Sequence, residues 1–99
     1  MQINVHSVHF KADSKLIHFI EGRLQKLELF HDKLIDASVY LRLDRNNENG
    51  NKISEIKLNI PGKDLFAKRR ASSFEEATDL VIEALRRQLR RTKGKQALV

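Results

Sequence analysis

Six basic side chains crowd the end of this chain: Arg86, Arg87, Arg90, Arg91, Lys93 and Lys95. Guanidinium forks and ammonium point charges at that density are phosphate-binding chemistry. From Ala84 to Val99 there are six basic residues and no acidic one, whereas 13 Lys/Arg balance 13 Asp/Glu before Ala84. The formal net charge of +6 therefore belongs to this end alone. Two readings compete. Cations at a helix C-terminus suit the helix dipole and can simply be solvated. A charge excess packed onto one helix end is also a patch, and patches attract polyanions. The six-to-zero imbalance favours the polyanion.

Other chemistry finds little support. The histidines are His6, His9, His18 and His31. His6 and His9 are three apart in a stretch that reads as a strand, so they point to opposite faces and make poor metal ligands. The four glycines, at 22, 50, 62 and 94, never cluster into a phosphate loop. Ser7, Ser72 and Ser73 lack the context of a nucleophile elbow. The sequence predicts no enzyme, no metal and no cofactor.

The basic end has to be carried by a helix, and Ser73–Lys95 reads as one. Ser73 followed by Glu76 is a capping-box pair. Phe74, Ala77, Val81, Leu85 and Leu89 then recur at three- and four-residue spacing as an apolar stripe. Glu75, Glu76, Asp79 and Glu83 precede the arginines on the opposite face, and Glu83 is spaced to pair with Arg87.

A second helix is expected over Ser14–Phe30, capped by Asp13, with Leu16, Ile20, Leu24 and Leu27 as its stripe and Ile17 and Phe19 widening it. Arg23 and Lys26 fall on one flank of that stripe, beside Lys15, where stems rest on the core edge and charges point outward. They extend the basic patch if the two helices lie side by side. Gly22 costs this helix about 1 kcal/mol relative to Ala, for no reason visible in the sequence.

The remainder reads as strands. Gln2–Phe10 carries Ile3 and Val5 on one face, with its phase lost near Ser7–Val8. Leu34–Asp44 alternates cleanly, and Lys52–Ile60 puts Ile56, Leu58 and Ile60 inward. Asp64–Ala71 follows. Asn49-Gly50 and Pro61-Gly62 mark the turns. Lys57, Lys68 and Arg70 form a candidate secondary basic surface on the open face of the sheet; Arg69 either joins it or, sharing a face with Leu65 and Ala67, sits at the core margin. Tyr40 and Phe66 on that face are candidates for base stacking, or for packing against strand neighbours.

The order β-α-β-β-β-α predicts an α+β two-layer sandwich: a four-stranded sheet with two helices packed on one face. Its first two strands are parallel if they are neighbours, and the others are hairpin-linked. At 99 residues this is one domain, taken as 1–95 with a short tail at 96–99. No apolar run approaches a membrane span, no signal-peptide pattern opens the chain, and there is no cysteine. A cytoplasmic monomer with an anionic partner is the expectation, in keeping with a pI near 9.9. Few aromatics, and no helix-turn-helix, zinc-finger or homeodomain pattern, favour duplex or structured RNA over a DNA site read base by base.

The opening MQINVHSVHFKADSKLIHFIEGRLQKLELF, the strand LIDASVYLRL, the IKLNIPGKDLFAK segment and FEEATDLVIEALRRQLRRTKGK together resemble the short form of the ribosome hibernation-promoting factor family. That family is also called the sigma-54 modulation or ribosome-associated inhibitor family. The resemblance implies the same β-α-β-β-β-α fold. It further implies a non-enzymatic cytoplasmic factor that binds the small ribosomal subunit where messenger and transfer RNA would lie. Such a factor reversibly blocks translation and protects idle ribosomes, in some cases alongside a second small hibernation factor. By position it implies rRNA contacts at Arg23, Lys26, Arg86, Arg87, Arg90, Arg91 and Lys93. Lys68-Arg69-Arg70 departs from the usual pattern, as does the lack of the C-terminal domain through which long members pair ribosomes. The rival reading is a protein-interaction module for an acidic partner such as a transcription factor.

Overall fold

The structure is a computed structural model that describes residues 1–45 and 50–97, with backbone alone for 93–97. Its elements are β1 (Gln2–Ser7), α1 (Ser14–Phe30), β2 (Asp36–Leu43), β3 (Lys52–Ile60), β4 (Lys63–Ala71) and α2 (Phe74–Ala97). This is the expected order. The sheet runs β1-β2-β3-β4, with β1 and β2 parallel and the other pairs antiparallel.

Alternation decides which face of the sheet is covered. Ala37, Val39 and Leu41 of β2, and Ile56, Leu58 and Ile60 of β3, are buried, while Lys57 between them is exposed. They meet Ile20, Leu24 and Leu27 of α1 and Val81, Leu85 and Leu89 of α2 in one core. Each fully buried Val, Ile or Leu contributes about 1.5–3 kcal/mol. α2 lies over β3 and β4, and α1 packs along α2. Ser54 and Thr78 are buried polar residues, and the Thr78 hydroxyl donates to Ser54 Oγ at 3.2 Å, tying α2 to β3.

Local chemistry sets the helix starts. Asp13 caps α1 by accepting from the Leu16 N–H at 2.8 Å. Ser73 caps α2 by accepting from the Glu76 N–H at 3.1 Å. The expected box is only half formed, because the Glu76 carboxylate accepts from the Ser72 hydroxyl at 3.0 Å. Pro61-Gly62 closes a two-residue hairpin between Ile60 and Lys63. Proline holds the first turn position at negative φ, and Gly62 takes φ +87° at the second, as in a type II turn.

Several boundaries differ from the sequence reading; β2 ends at Leu43 and β4 starts at Lys63, each one residue from the expected position. β1 stops at Ser7 because His9 adopts φ +64°, a left-handed conformation that breaks a strand. β2 begins at Asp36, although Leu34 is buried beneath it. α2 continues through Gly94 to Ala97, so 96–97 belong to the helix and not to a tail. One glycine costs a helix about 1 kcal/mol, too little to stop it when helix-forming Lys95, Gln96 and Ala97 follow. Residues 98–99, and Asn49 of the expected Asn49-Gly50 turn, lie outside the described residues.

Candidate nucleic-acid interface

The apolar stripe of α2 fixes the rotation of the helix and therefore the direction of its arginines. With Val81, Leu85 and Leu89 held in the core, Arg86, Arg87, Arg90 and Arg91 are all exposed. Four residues along a helix return to within about 40° of the same direction. Arg86 and Arg90 thus form one column and Arg87 and Arg91 another. The first column faces α1, since Arg86 and Arg90 line a recess with Leu27, Phe30 and His31. The second leans toward β4, since Arg91 shares a depression with Lys63, Leu65, Gln88 and Thr92. Gln88 anchors this half of α2 by donating to the Phe66 carbonyl of β4 at 2.9 Å. β4 lies at the edge of the sheet, where a backbone carbonyl is free to accept such a bond.

α1 supplies the rest of the surface. Arg23 and Lys26 line a groove with Asp79, Ile82, Glu83 and Arg86 of α2. The flank condition set by the sequence is therefore met, and Arg23, Lys26 and Arg86 share one groove. Arg23 is held rather than free. Its Nε donates to Asp79 Oδ1 at 2.8 Å, and its guanidinium lies 4.6 Å from the centroid of the Phe19 ring. Surface ion pairs contribute about 0–1 kcal/mol, so this contact orients Arg23 more than it stabilises the fold.

The α2 arginines are different. Among the described residues, none of Arg86, Arg87, Arg90 and Arg91 lies within 4.0 Å of a carboxylate oxygen. The Glu83–Arg87 pair expected from i,i+4 spacing is not formed. The side chain of Lys93 lies outside the described residues, and only its place on α2 is known.

The open sheet face, by contrast, neutralises its cations. Lys57 pairs with Asp64 at 3.4 Å and Lys68 with Glu55 at 3.8 Å. Arg70 pairs with Asp44, and Arg42 with Glu55 at 3.2 Å. The candidate secondary surface of Lys57, Lys68 and Arg70 is thus charge-balanced. Tyr40 stacks on His6 at 5.0 Å between centroids, so one face of its ring is already occupied. Arg69 lies on the core side by register but is exposed, and its guanidinium donates to the Lys68 carbonyl at 2.7 Å.

Two residues escaped the sequence reading. Ile53 faces the open side yet is buried, because Arg42 and Arg70 flank it in register. Arginine stems covering apolar surface leave no trace in an alternation pattern. Phe30 ends α1, is 71% exposed, and has the Arg86 guanidinium 5.6 Å from its ring centroid. A signal for it was present: the wheel that groups Arg23 with Lys26 puts Phe30 on the same flank.

The family described as Sigma 54 modulation protein / S30EA ribosomal protein matches residues 3–97. The chain is 35% identical over 77 residues to a ribosome hibernation promotion factor of Deinococcus radiodurans, covering 76% of this chain but 40% of that protein. It is 26% identical over 96 residues to a ribosome hibernation promoting factor of Pseudomonas putida, covering 97% of this chain and 90% of that one. It therefore spans less than half of the first relative and nearly all of the second. A ribosomal subunit interface protein from Coxiella burnetii superposes with a TM-score of 0.84 at 19% identity, covering 95% of this chain and 99% of that one. The N-terminal domain of Thermus thermophilus Protein Y gives 0.79 at 20% identity, covering 93% and 99%. At these identities the two structures bear on the fold alone.

Proposed function

The chain belongs to the Sigma 54 modulation protein / S30EA ribosomal protein family, and from that premise we propose that it is a ribosome hibernation factor. It binds the small ribosomal subunit at the channel for messenger and transfer RNA, inhibits translation reversibly and stabilises idle ribosomes. Its described domain, extended to Ala97, acts as one ribosome-binding unit, monomeric and cytoplasmic. The contacts to rRNA are made by Arg86, Arg87, Arg90, Arg91 and Lys93 of α2, with Arg23 and Lys26 of α1 beside them. The role is binding and not catalysis. A second small hibernation factor is a further partner under this reading.

One observation carries the proposal. The exposed arginines of α2 have no carboxylate partner among the described residues, while the cations of the open sheet face do. Unpaired arginines in two columns suit the phosphates of a structured RNA, where contacts to backbone and groove shape dominate. Each phosphate neutralised releases counterions, so affinity must fall steeply with salt.

The test is sedimentation of the protein with purified ribosomes and small subunits over a salt series. Co-migration with the small subunit that is lost as salt rises, together with inhibition of translation in a reconstituted system, is the expected result. Binding that persists after nuclease digestion of the rRNA would instead identify an acidic protein as the partner.

A further inference from the structure

The geometry points to a second kind of contact in the same surface: the recess between the end of α1 and the C-terminal half of α2 receives an unstacked RNA base, which lies against Phe30. This rests on the small-subunit reading above and specifies how part of the RNA is held.

Phe30 is a large apolar side chain left 71% exposed at the last residue of α1. Exposed apolar residues are common singly, so exposure alone means little. The neighbours of Phe30 give it meaning. Leu27 and Leu89, both buried, form the floor of a recess of about 130 Å³. Phe30 makes one wall, with Arg86 and Arg90 at the rim. Neither arginine has a carboxylate partner among the described residues. A nucleotide answers each part of this site. Its base stacks on the Phe30 ring in place of the Arg86 guanidinium, which lies 5.6 Å from the ring centroid, and makes apolar contact with the floor, while its flanking phosphates meet the two guanidinium groups. An acidic side chain would satisfy the rim and leave the aromatic wall without a stacking partner. The other exposed aromatic among the described residues lacks this setting: Phe66 stands in register with Lys57, whose charge Asp64 offsets. Tyr40 is half-buried and stacked on His6.

Stacking and phosphate pairing differ in their response to salt. A phosphate contact releases counterions, and a stacked base does not. Affinity for purified small subunits should therefore be measured over a salt series for the wild type, Phe30→Ala, Phe30→Leu and Phe30→Trp. Removing one stacked base weakens binding about tenfold, so Phe30→Ala and Phe30→Leu should both lose about that factor at every salt concentration. The slope of log affinity against log salt should stay as in the wild type. Phe30→Trp should bind at least as tightly as the wild type. Because the chain has no other Trp, fluorescence of that variant should change on binding. Thermal midpoints should be unchanged, since the side chain is mostly outside the core. Wild-type affinity in Phe30→Leu would overturn the inference, because apolar area without a π-face would then suffice. So would wild-type affinity in Phe30→Ala. In either case the small-subunit reading stands. A wild-type protein that fails to bind small subunits removes that reading itself, and this inference with it.

Discussion

The open sheet face and the outer face of the helix layer carry similar basic side chains, yet they treat them in opposite ways. On the sheet, carboxylates sit where pairing geometry can reach them. Glu55 lies directly opposite Lys68 and diagonal to Arg42, and Asp64 lies diagonal to Lys57. Directly opposed residues on one sheet face are about 4.5–5.5 Å apart at Cβ, and diagonal ones are still within reach of long side chains. On α2 the two signs are separated along the helix axis, acids first and bases after. The acids at the boundary do not close the gap: Asp79 is taken by Arg23, and Glu83 makes no pair with Arg87. A face that interleaves its charges presents a weaker field to a polyanion than one that segregates them. Lys57, Lys68 and Arg70 thus share residue types with the α2 arginines but not their availability.

The sharpest way to break this comparison is to reverse two charges on each face. Arg87→Glu with Arg91→Glu should reduce affinity for the small subunit by at least about 100-fold and flatten its salt dependence. Lys57→Glu with Lys68→Glu should change it by no more than about threefold, since those charges are already compensated. The helix pair should keep its thermal midpoint to within a few degrees, whereas the sheet pair should lower it further because Lys68→Glu sets a carboxylate directly opposite Glu55, both checked by circular dichroism. Equal losses from the two pairs would mean that ion pairing does not silence the sheet.

Most of the fold was legible because burial writes a period into the sequence. Ala37, Val39 and Leu41 fixed β2, and Val81, Leu85 and Leu89 fixed the rotation of α2 and hence the exposure of its arginines. What was not legible depends on pairs of residues distant in the chain. Arg23 to Asp79 spans 56 positions and Arg70 to Asp44 spans 26. No periodicity encodes such contacts, so a run such as Lys68-Arg69-Arg70 reads as a basic surface until its partners are placed. Local boundaries failed for a similar reason. Nothing in the residue types around His9 announces a left-handed φ, and Gly94 looks like a stop until the helix is seen to tolerate it.

Removing one carboxylate from each face tests the comparison more gently. Asp79→Asn releases Arg23 into the groove it shares with Lys26 and Arg86, and should tighten binding about threefold at low salt with a steeper salt slope. Glu55→Gln leaves Arg42 and Lys68 without their shared partner. It should cost about 1 kcal/mol of stability, seen as a lower denaturant midpoint. It should also raise slightly, and in a salt-sensitive way, the affinity for RNA in general that the basic helix face already gives the parent protein. If Asp79→Asn weakens binding instead, Arg23 acts through its fixed orientation over Phe19 and not through its charge.

Gly22 gives the smallest effect and marks how far the helix-side surface extends. It lies on the outer face of α1, one turn before Lys26, and a Cβ built there meets nothing within 4 Å among the described residues. Packing within this chain therefore does not explain the glycine. Gly22→Ala should stabilise the fold by about 1 kcal/mol, because Ala loses less backbone freedom in a helix. For a domain of this size that raises the thermal midpoint by roughly 4–8 °C. Two outcomes for binding then separate two footprints. Unchanged affinity confines the RNA to the flank of Arg23, Lys26 and Phe30. A loss of affinity in a more stable protein means that an RNA backbone lies against α1 at this position, where even a methyl group would intrude, and the glycine would then be kept for its partner and not for the fold.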